Sequence, residues 1–199
     1  MATHRYELVG GDPALDFLNT IHDYSEEPRR DLIGSFDDAL RWGVAAGLLT
    51  PAELRRVSAL DDGAELSRLV ELRDALQRVS SAMIAGRAPL STDLHALSRM
   101  AAEAAGATSF RRTGGGVLQR TIGVGDAGAA VLRLRIVDAA IALLTGERAG
   151  RMKSCPACGW FFVDATRNRS RRWCSMSTCG ASAKSRRYYR KSRARRSRG

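Results

Sequence analysis

Four cysteines are the residues in this chain whose type and spacing promise chemistry. Cys155 and Cys158 form C-x2-C, fifteen residues follow, and Cys174 and Cys179 form C-x4-C. Each close pair can hold one metal ion from a tight turn, and the gap is long enough for a hairpin that brings the pairs together. That arithmetic is the one of a tetrahedral, all-sulfur zinc site. His4, His22 and His95 lie far away in sequence, so the expected ligand set is the four cysteines. Two disulfides or a redox pair are the alternative. The chain shows no apolar secretory leader, and in a reducing cytoplasm free thiols are the expected state. Four protein ligands leave no coordination position for a reacting water, so the expected Zn2+ is single and structural.

The positive charge sits with the cysteines. Residues 151–199 hold fifteen Lys or Arg against one acid, Asp164, a net of +14, whereas residues 1–150 have seventeen bases and twenty acids, a net of −3. A basic module on a near-neutral body is the asymmetry of a nucleic-acid-binding end. A four-thiolate zinc centre carries a net −2, and two or three nearby bases would neutralise it. Roughly a dozen remain. Arg outnumbers Lys 29 to 3 throughout the chain, so the clustering is informative and the choice of Arg is not.

No catalytic signature accompanies these features. The sequence has no G-x-S-x-G, no glycine-rich loop followed by Lys-Ser/Thr and no H-E-x-x-H. A non-enzymatic role is expected. The longest apolar run, Ala139 to Leu144, is six residues, far short of the ~20 that cross a bilayer. The expected protein is cytoplasmic, without membrane contact.

The elements that must position the cysteines are mainly helical. Asp12-Pro13 reads as an N-cap and first turn of a helix running to about His22, with Leu15 and Leu18 inward. Asp16 and Asn19 fall on its polar face, where they could line a small-molecule pocket, although a solvated face is the plainer reading. Ser35 to Ala46 is an amphipathic helix closed by Gly47. Thr50-Pro51-Ala52-Glu53 is a capping box that opens a third. Apolar residues from Leu66 through Leu69, Leu76 and Val79 to Met83 make a fourth, and Ser91 to Gly106 a fifth. Thr108–Arg112 and Val117–Ile122 around Gly114-Gly115-Gly116 predict a β-hairpin. Asp126 is expected to cap a last helix through Leu144, leading directly into the metal module. The helical body is expected to have a core of its own.

Within the module, Cys155-Pro-Ala-Cys158-Gly159 has the form of a zinc knuckle. Trp160 to Val163 is expected as a strand, Asp164 to Asn168 as a turn, Arg169 to Trp173 as the returning strand, and Cys179 in the first turn of a helix capped by Ser177. Knuckle, hairpin and helix in that order make a treble-clef-like finger. On its helix Lys184, Arg187, Lys191 and Arg195 form one basic stripe, and Arg186, Arg190 and Arg193 another.

Cys155-x2-Cys158-x5-Asp164-x2-Arg167-Asn168-Arg169-Ser170-Arg171-Arg172-Trp173-Cys174-Ser175-Met176-x2-Cys179-Gly180, continued by Lys184-Ser-Arg186-Arg187-Tyr188-Tyr189, resembles the CGNR zinc-finger family. Gly10-Gly11-x3-Leu15-Asp16-Phe17-Leu18-Asn19-Thr20 is similar to the start of the ABATE domain that precedes this finger. The resemblance implies a bacterial, stress-linked transcriptional regulator whose finger binds DNA. Where the naming motif places Asn and Arg after Cys179-Gly180, this chain has Ala181 and Ser182; the metal ligands are untouched.

The expected organisation is an α-rich body (1–147) with one hairpin, which senses a signal, takes an unknown small molecule or associates as a homodimer. A four-cysteine finger (148–192) and a basic tail (193–199) follow. The expected nucleic-acid contacts are Arg167, Arg169, Arg171, Arg172, Lys184, Arg186, Arg187, Arg190 and Lys191, with DNA as partner. An RNA- or ribosome-associated protein, or an adaptor docking an acidic protein surface, are the rival readings.

Overall fold

A helix that is apolar around most of its circumference must be surrounded. Residues 131–145 form such a helix. The computed structural model describes residues 6–22, 30–60, 63–186 and 189, and it places α7 (Val131–Thr145) at the centre, with Val131, Leu132, Leu134, Ile136, Val137, Ala140 and Leu143 buried. Against it pack α1 (Pro13–Leu18), α4 (Glu65–Ile84), α5 (Ser91–Gly106) and the hairpin of β3 (Thr108–Arg112) and β4 (Leu118–Ile122). The fold is mainly helical with small antiparallel hairpins, as expected.

Local signals set several of these elements. Ser35 accepts from Asp38 N at the start of α2 (Phe36–Ala45), which buries Phe36, Leu40 and Trp42. Thr50 and Glu53 close a reciprocal capping box on α3 (Pro51–Ser58). Gly43 is required by packing: a Cβ there would sit 2.7 Å from Leu132 Cδ1 of α7. A charge cluster ties three helices: the buried Arg133 of α7 pairs with the buried Glu65 of α4 at 3.0 Å and with the half-exposed Glu103 of α5 at 2.7 Å. Buried ions persist only when matched in this way.

Two expectations fail at helix ends. α1 stops at Leu18 instead of His22, because Ile21–His22 (β1) pairs with Arg30–Asp31 (β2). Arg73, buried in α4, holds this turn by donating to Thr20 Oγ1 at 2.8 Å and to the Asp31 carboxylate. Asp126 does not cap the last long helix. It lies inside the short α6 (Val124–Ala127), after which Gly128 at φ +56° and a 3-10 turn break the path before α7.

The cysteine-bearing segment follows a 3-10 turn, Glu147–Arg151. β5 (Met152–Ser154) pairs antiparallel with β6 (Phe161–Val163), and the knuckle forms their connection. The expected pairing of β6 with a strand at 169–173 is absent from the described structure; its partner lies upstream of the first cysteine. Alternation along β6 divides its side chains between two cores. Phe161 and Val163, with Met152, join the core of the helices, whereas Phe162 and the preceding Trp160 pack with Cys155 and Cys174. The helical body therefore does not have a separate core.

Candidate metal centre and its basic surface

Backbone geometry aims the first pair of thiols. Cys155 N donates to Trp160 O at 2.7 Å and Gly159 N to Cys155 O at 2.8 Å, with Gly159 at φ +76° closing the knuckle. A left-handed backbone angle of that kind is cheap only for glycine. The second pair sits on a helix entry. Ser175, not Ser177, is the cap, accepting from Thr178 N at 3.3 Å, and Met176–Gly180 makes a wide turn that runs into helical residues 181–186. Gly180 is buried beneath Met176 and Trp173. Ala181 and Ser182 are exposed at the start of that helix.

The four Sγ atoms lie within 4.8 Å of one another. Cys158, Cys174 and Cys179 are mutually 3.6 Å apart. A tetrahedral ion with bonds of about 2.3 Å puts its sulfurs about 3.8 Å apart, whereas a disulfide needs about 2.05 Å. The donor set fits zinc and excludes the disulfide alternative. In the free thiol cluster a hydrogen bond from Cys174 holds Cys158 down to about 6. Its bond with Cys158 pushes Cys174 far up, and burial pushes Cys179 up to about 11. Neighbouring thiols share one negative charge readily and resist a second. A dication removes that obstacle, and the finger holds one structural zinc ion through Cys155, Cys158, Cys174 and Cys179.

Asp164 organises the loop between the pairs. It is fully buried and accepts from Lys153 Nζ (2.6 Å), Thr166 N (2.9 Å), Thr166 Oγ1 (2.5 Å) and Arg171 N (2.9 Å). Burial alone would raise its carboxyl, but Lys153 and Thr166 outweigh this and hold it well below the usual range. Lys153 Nζ also reaches the Arg169 and Arg171 carbonyls at 2.6 and 3.1 Å. These bonds, with Arg169 at φ +53°, stand where a returning strand was expected. Neither Lys153 nor Asp164 was among the expected site residues. The available signal was that Asp164 is the sole acid in a segment of fifteen bases.

The expected contact residues divide. Arg167, Arg169, Arg172, Lys184 and Arg186 are exposed, Arg172 lying 5.5 Å over the Trp173 ring. Arg171 is not available. Its guanidinium donates to Val9 O at 3.0 Å, Trp173 O at 3.1 Å and the Cys174 carbonyl, and it lies 4.6 Å over Phe162. It is a brace beside the anionic metal centre. Arg187, Arg190 and Lys191 lie outside the described residues, as does the 193–199 tail.

Asp16 is half-buried and Asn19 is buried, and both are held by hydrogen bonds within the protein. Asn19 is buried against β6, donating through Nδ2 to Phe161 O at 2.9 Å and accepting from Phe161 N at 2.8 Å. Asp16 accepts from Gly10 N at 2.7 Å, and burial raises its carboxyl to about 6. The same N-terminal stretch receives the finger at three more points. Val163 N donates to Gly10 O at 2.8 Å, Trp160 Nε1 to Ile21 O at 2.8 Å, and Arg148 pairs with Asp12 at 2.9 Å. The residues flanking α1 on both sides, Gly10 and Asp12 before it and Asn19 and Ile21 after it, form a socket for the metal module.

Comparison with known proteins supports both halves. Residues 11–147 match the family model described as "ABATE: Putative stress-induced transcription regulator", and residues 151–196 match the CGNR zinc finger. No curated protein matches the chain. Among the described residues no helix is long and apolar enough to cross a membrane. The chain belongs to the ABATE family of regulators and carries a CGNR zinc finger as its second element.

Proposed function

We propose that this zinc protein is a cytoplasmic, stress-linked transcription regulator that binds duplex DNA through its finger. The helical part senses a signal or associates, and the protein is not an enzyme. One observation carries the reading. The only acid in residues 151–199 is buried and neutralised by Lys153, so every ionic side chain the finger presents to solvent is positive. Arg167, Arg169 and Arg172 on the loop and Lys184 and Arg186 on the helix form that surface. Self-repulsion of this kind is relieved by a polyanion.

The RNA reading is less favoured by the placement of the rings. Single strands are held by exposed aromatic platforms. Trp160, Phe161 and Phe162 are buried and Trp173 is half-buried beneath Arg172, which leaves Tyr189 as the one strongly exposed ring among the described residues of the finger. The test is fluorescence anisotropy of zinc-loaded full-length protein with labelled duplex DNA and single-stranded RNA across a salt series. Five phosphates neutralised would give a slope of log K against log salt near about −4.5, from about −0.9 per phosphate. Salt-independent binding, or tighter binding to single-stranded RNA, would overturn the assignment.

A further inference from the structure

We infer that the β3–β4 hairpin is a second DNA-contacting arm, which flanks the finger and grips the backbone of the same duplex. The inference rests on the reading of the finger as DNA-binding. No Asp or Glu occurs between Glu103 and Asp126, and the hairpin carries Arg111, Arg112 and Arg120 within a body of net −3. Arg120 is spent on Asp138, with both carboxylate oxygens at 2.6 Å. Arg111 and Arg112 are exposed beside it.

The hairpin points towards the finger's end of the molecule. Ile122 O receives Arg135 Nε at 2.9 Å, and Arg120, two residues back along β4, reaches Asp138. Moving from Ile122 towards the turn thus climbs α7 towards its C-terminus. The turn therefore lies in the direction of the α7 end from which the cysteine-bearing segment departs.

The tip has two features the fold leaves unexplained. Gly114 and Gly115 have no positive φ, and a Cβ at either would meet nothing within 4 Å. Only Gly116, at φ +79° and donating to Thr113 O at 3.0 Å, is required by the turn. Bare backbone at 114 and 115 lets the chain approach a surface closely. Phe110, Val117 and Leu118 are 63%, 67% and 64% exposed around the two free guanidiniums. Apolar side chains interleaved with Arg on a narrow ribbon suit a DNA groove, where the cations meet phosphates and the apolar groups meet sugars and base edges.

The test uses zinc-loaded full-length protein and a labelled 40-base-pair duplex of mixed sequence, with affinity measured across a potassium chloride series. R111A/R112A should make the salt slope shallower by about 2, at about 0.9 per phosphate, with an unchanged melting temperature. G114E/G115E, which adds no bulk to any packed site, should weaken binding at least tenfold. R167A/R169A in the finger is the companion variant. If both hairpin variants keep the parent affinity and slope while R167A/R169A loses them, the hairpin proposal is overturned and the finger reading stands. If R167A/R169A binds like the parent while the hairpin variants weaken, the finger reading fails, and with it the proposal of a second arm on the finger's duplex. Absence of salt-dependent binding by the parent overturns both.

Discussion

Asn19 and the backbone of Phe161 hold each other in a closed ring of two hydrogen bonds, 142 residues apart in sequence. Both groups are buried. Asn19→Ala would strand an N–H and a carbonyl at once, each costing about 1–3 kcal/mol. We expect a loss of about 2–4 kcal/mol in urea unfolding of the zinc-loaded protein. Faster zinc transfer to a chelator should accompany it. Parent stability and parent zinc retention in this variant would show that the contact is not what seats the finger.

Zinc removal should be felt throughout the chain. Because Met152, Phe161 and Val163 belong to the same core as α1, α4 and α7, chelation should lower the melting temperature of the helical signal in circular dichroism. A helical transition untouched by verified zinc removal would contradict the shared core. Phe161→Ala should mimic part of this loss, at about 3–5 kcal/mol for a buried aromatic.

Zinc binding should release protons. Cys174 and Cys179 are pushed up in the metal-free cluster, so both are protonated at pH 7 and must lose their protons to become ligands. At least two protons per zinc should appear in calorimetry across buffers of different ionisation enthalpy. Apparent affinity should fall steadily as pH is lowered from 8 to 5. A pH-independent affinity would rule this out.

Acid should weaken the body through Glu53. Its hydrogen bonds with Arg135 hold the carboxyl at about 2 against an ordinary 4.5. The folded value is depressed, so the contribution is present above about 4.5 and disappears as pH falls from there to about 2. Allowing for solvent screening of a partly exposed pair, it amounts to about 1 kcal/mol. Glu53→Gln should lose that much at pH 7 and flatten the pH 2–5 limb of a urea-midpoint series. A variant curve parallel to the parent would refute it.

Locally encoded features were legible in the sequence. Ser35, Thr50-Pro51-Glu53, the hairpin turn at Gly116 and the spacing within each cysteine pair act over a few residues, and each appears where its chemistry requires. The features that escaped depend on partners far away in the chain. Asn19 reads as an ordinary polar residue until β6 arrives beside it. β6 finds its strand partner at Met152–Ser154, before the knuckle, in a stretch with no β pattern of its own. Arg171 looks like one more surface cation, and only the fold brings Val9, Phe162 and Cys174 around it. Gly128 divides what the periodicity near Asp126 presents as one helix.

The division of β6 between two cores makes metal occupancy and the state of the helices one thermodynamic system. Reciprocity follows from linkage: the factor by which zinc occupancy favours the packing of α1 against α7 is the factor by which that packing favours zinc binding. A strand that alternates Phe161 and Val163 with Phe162 also cannot slip by one residue, since a slip would exchange the contents of both cores. The docked strand therefore has a single register, set by the contents of both cores at once.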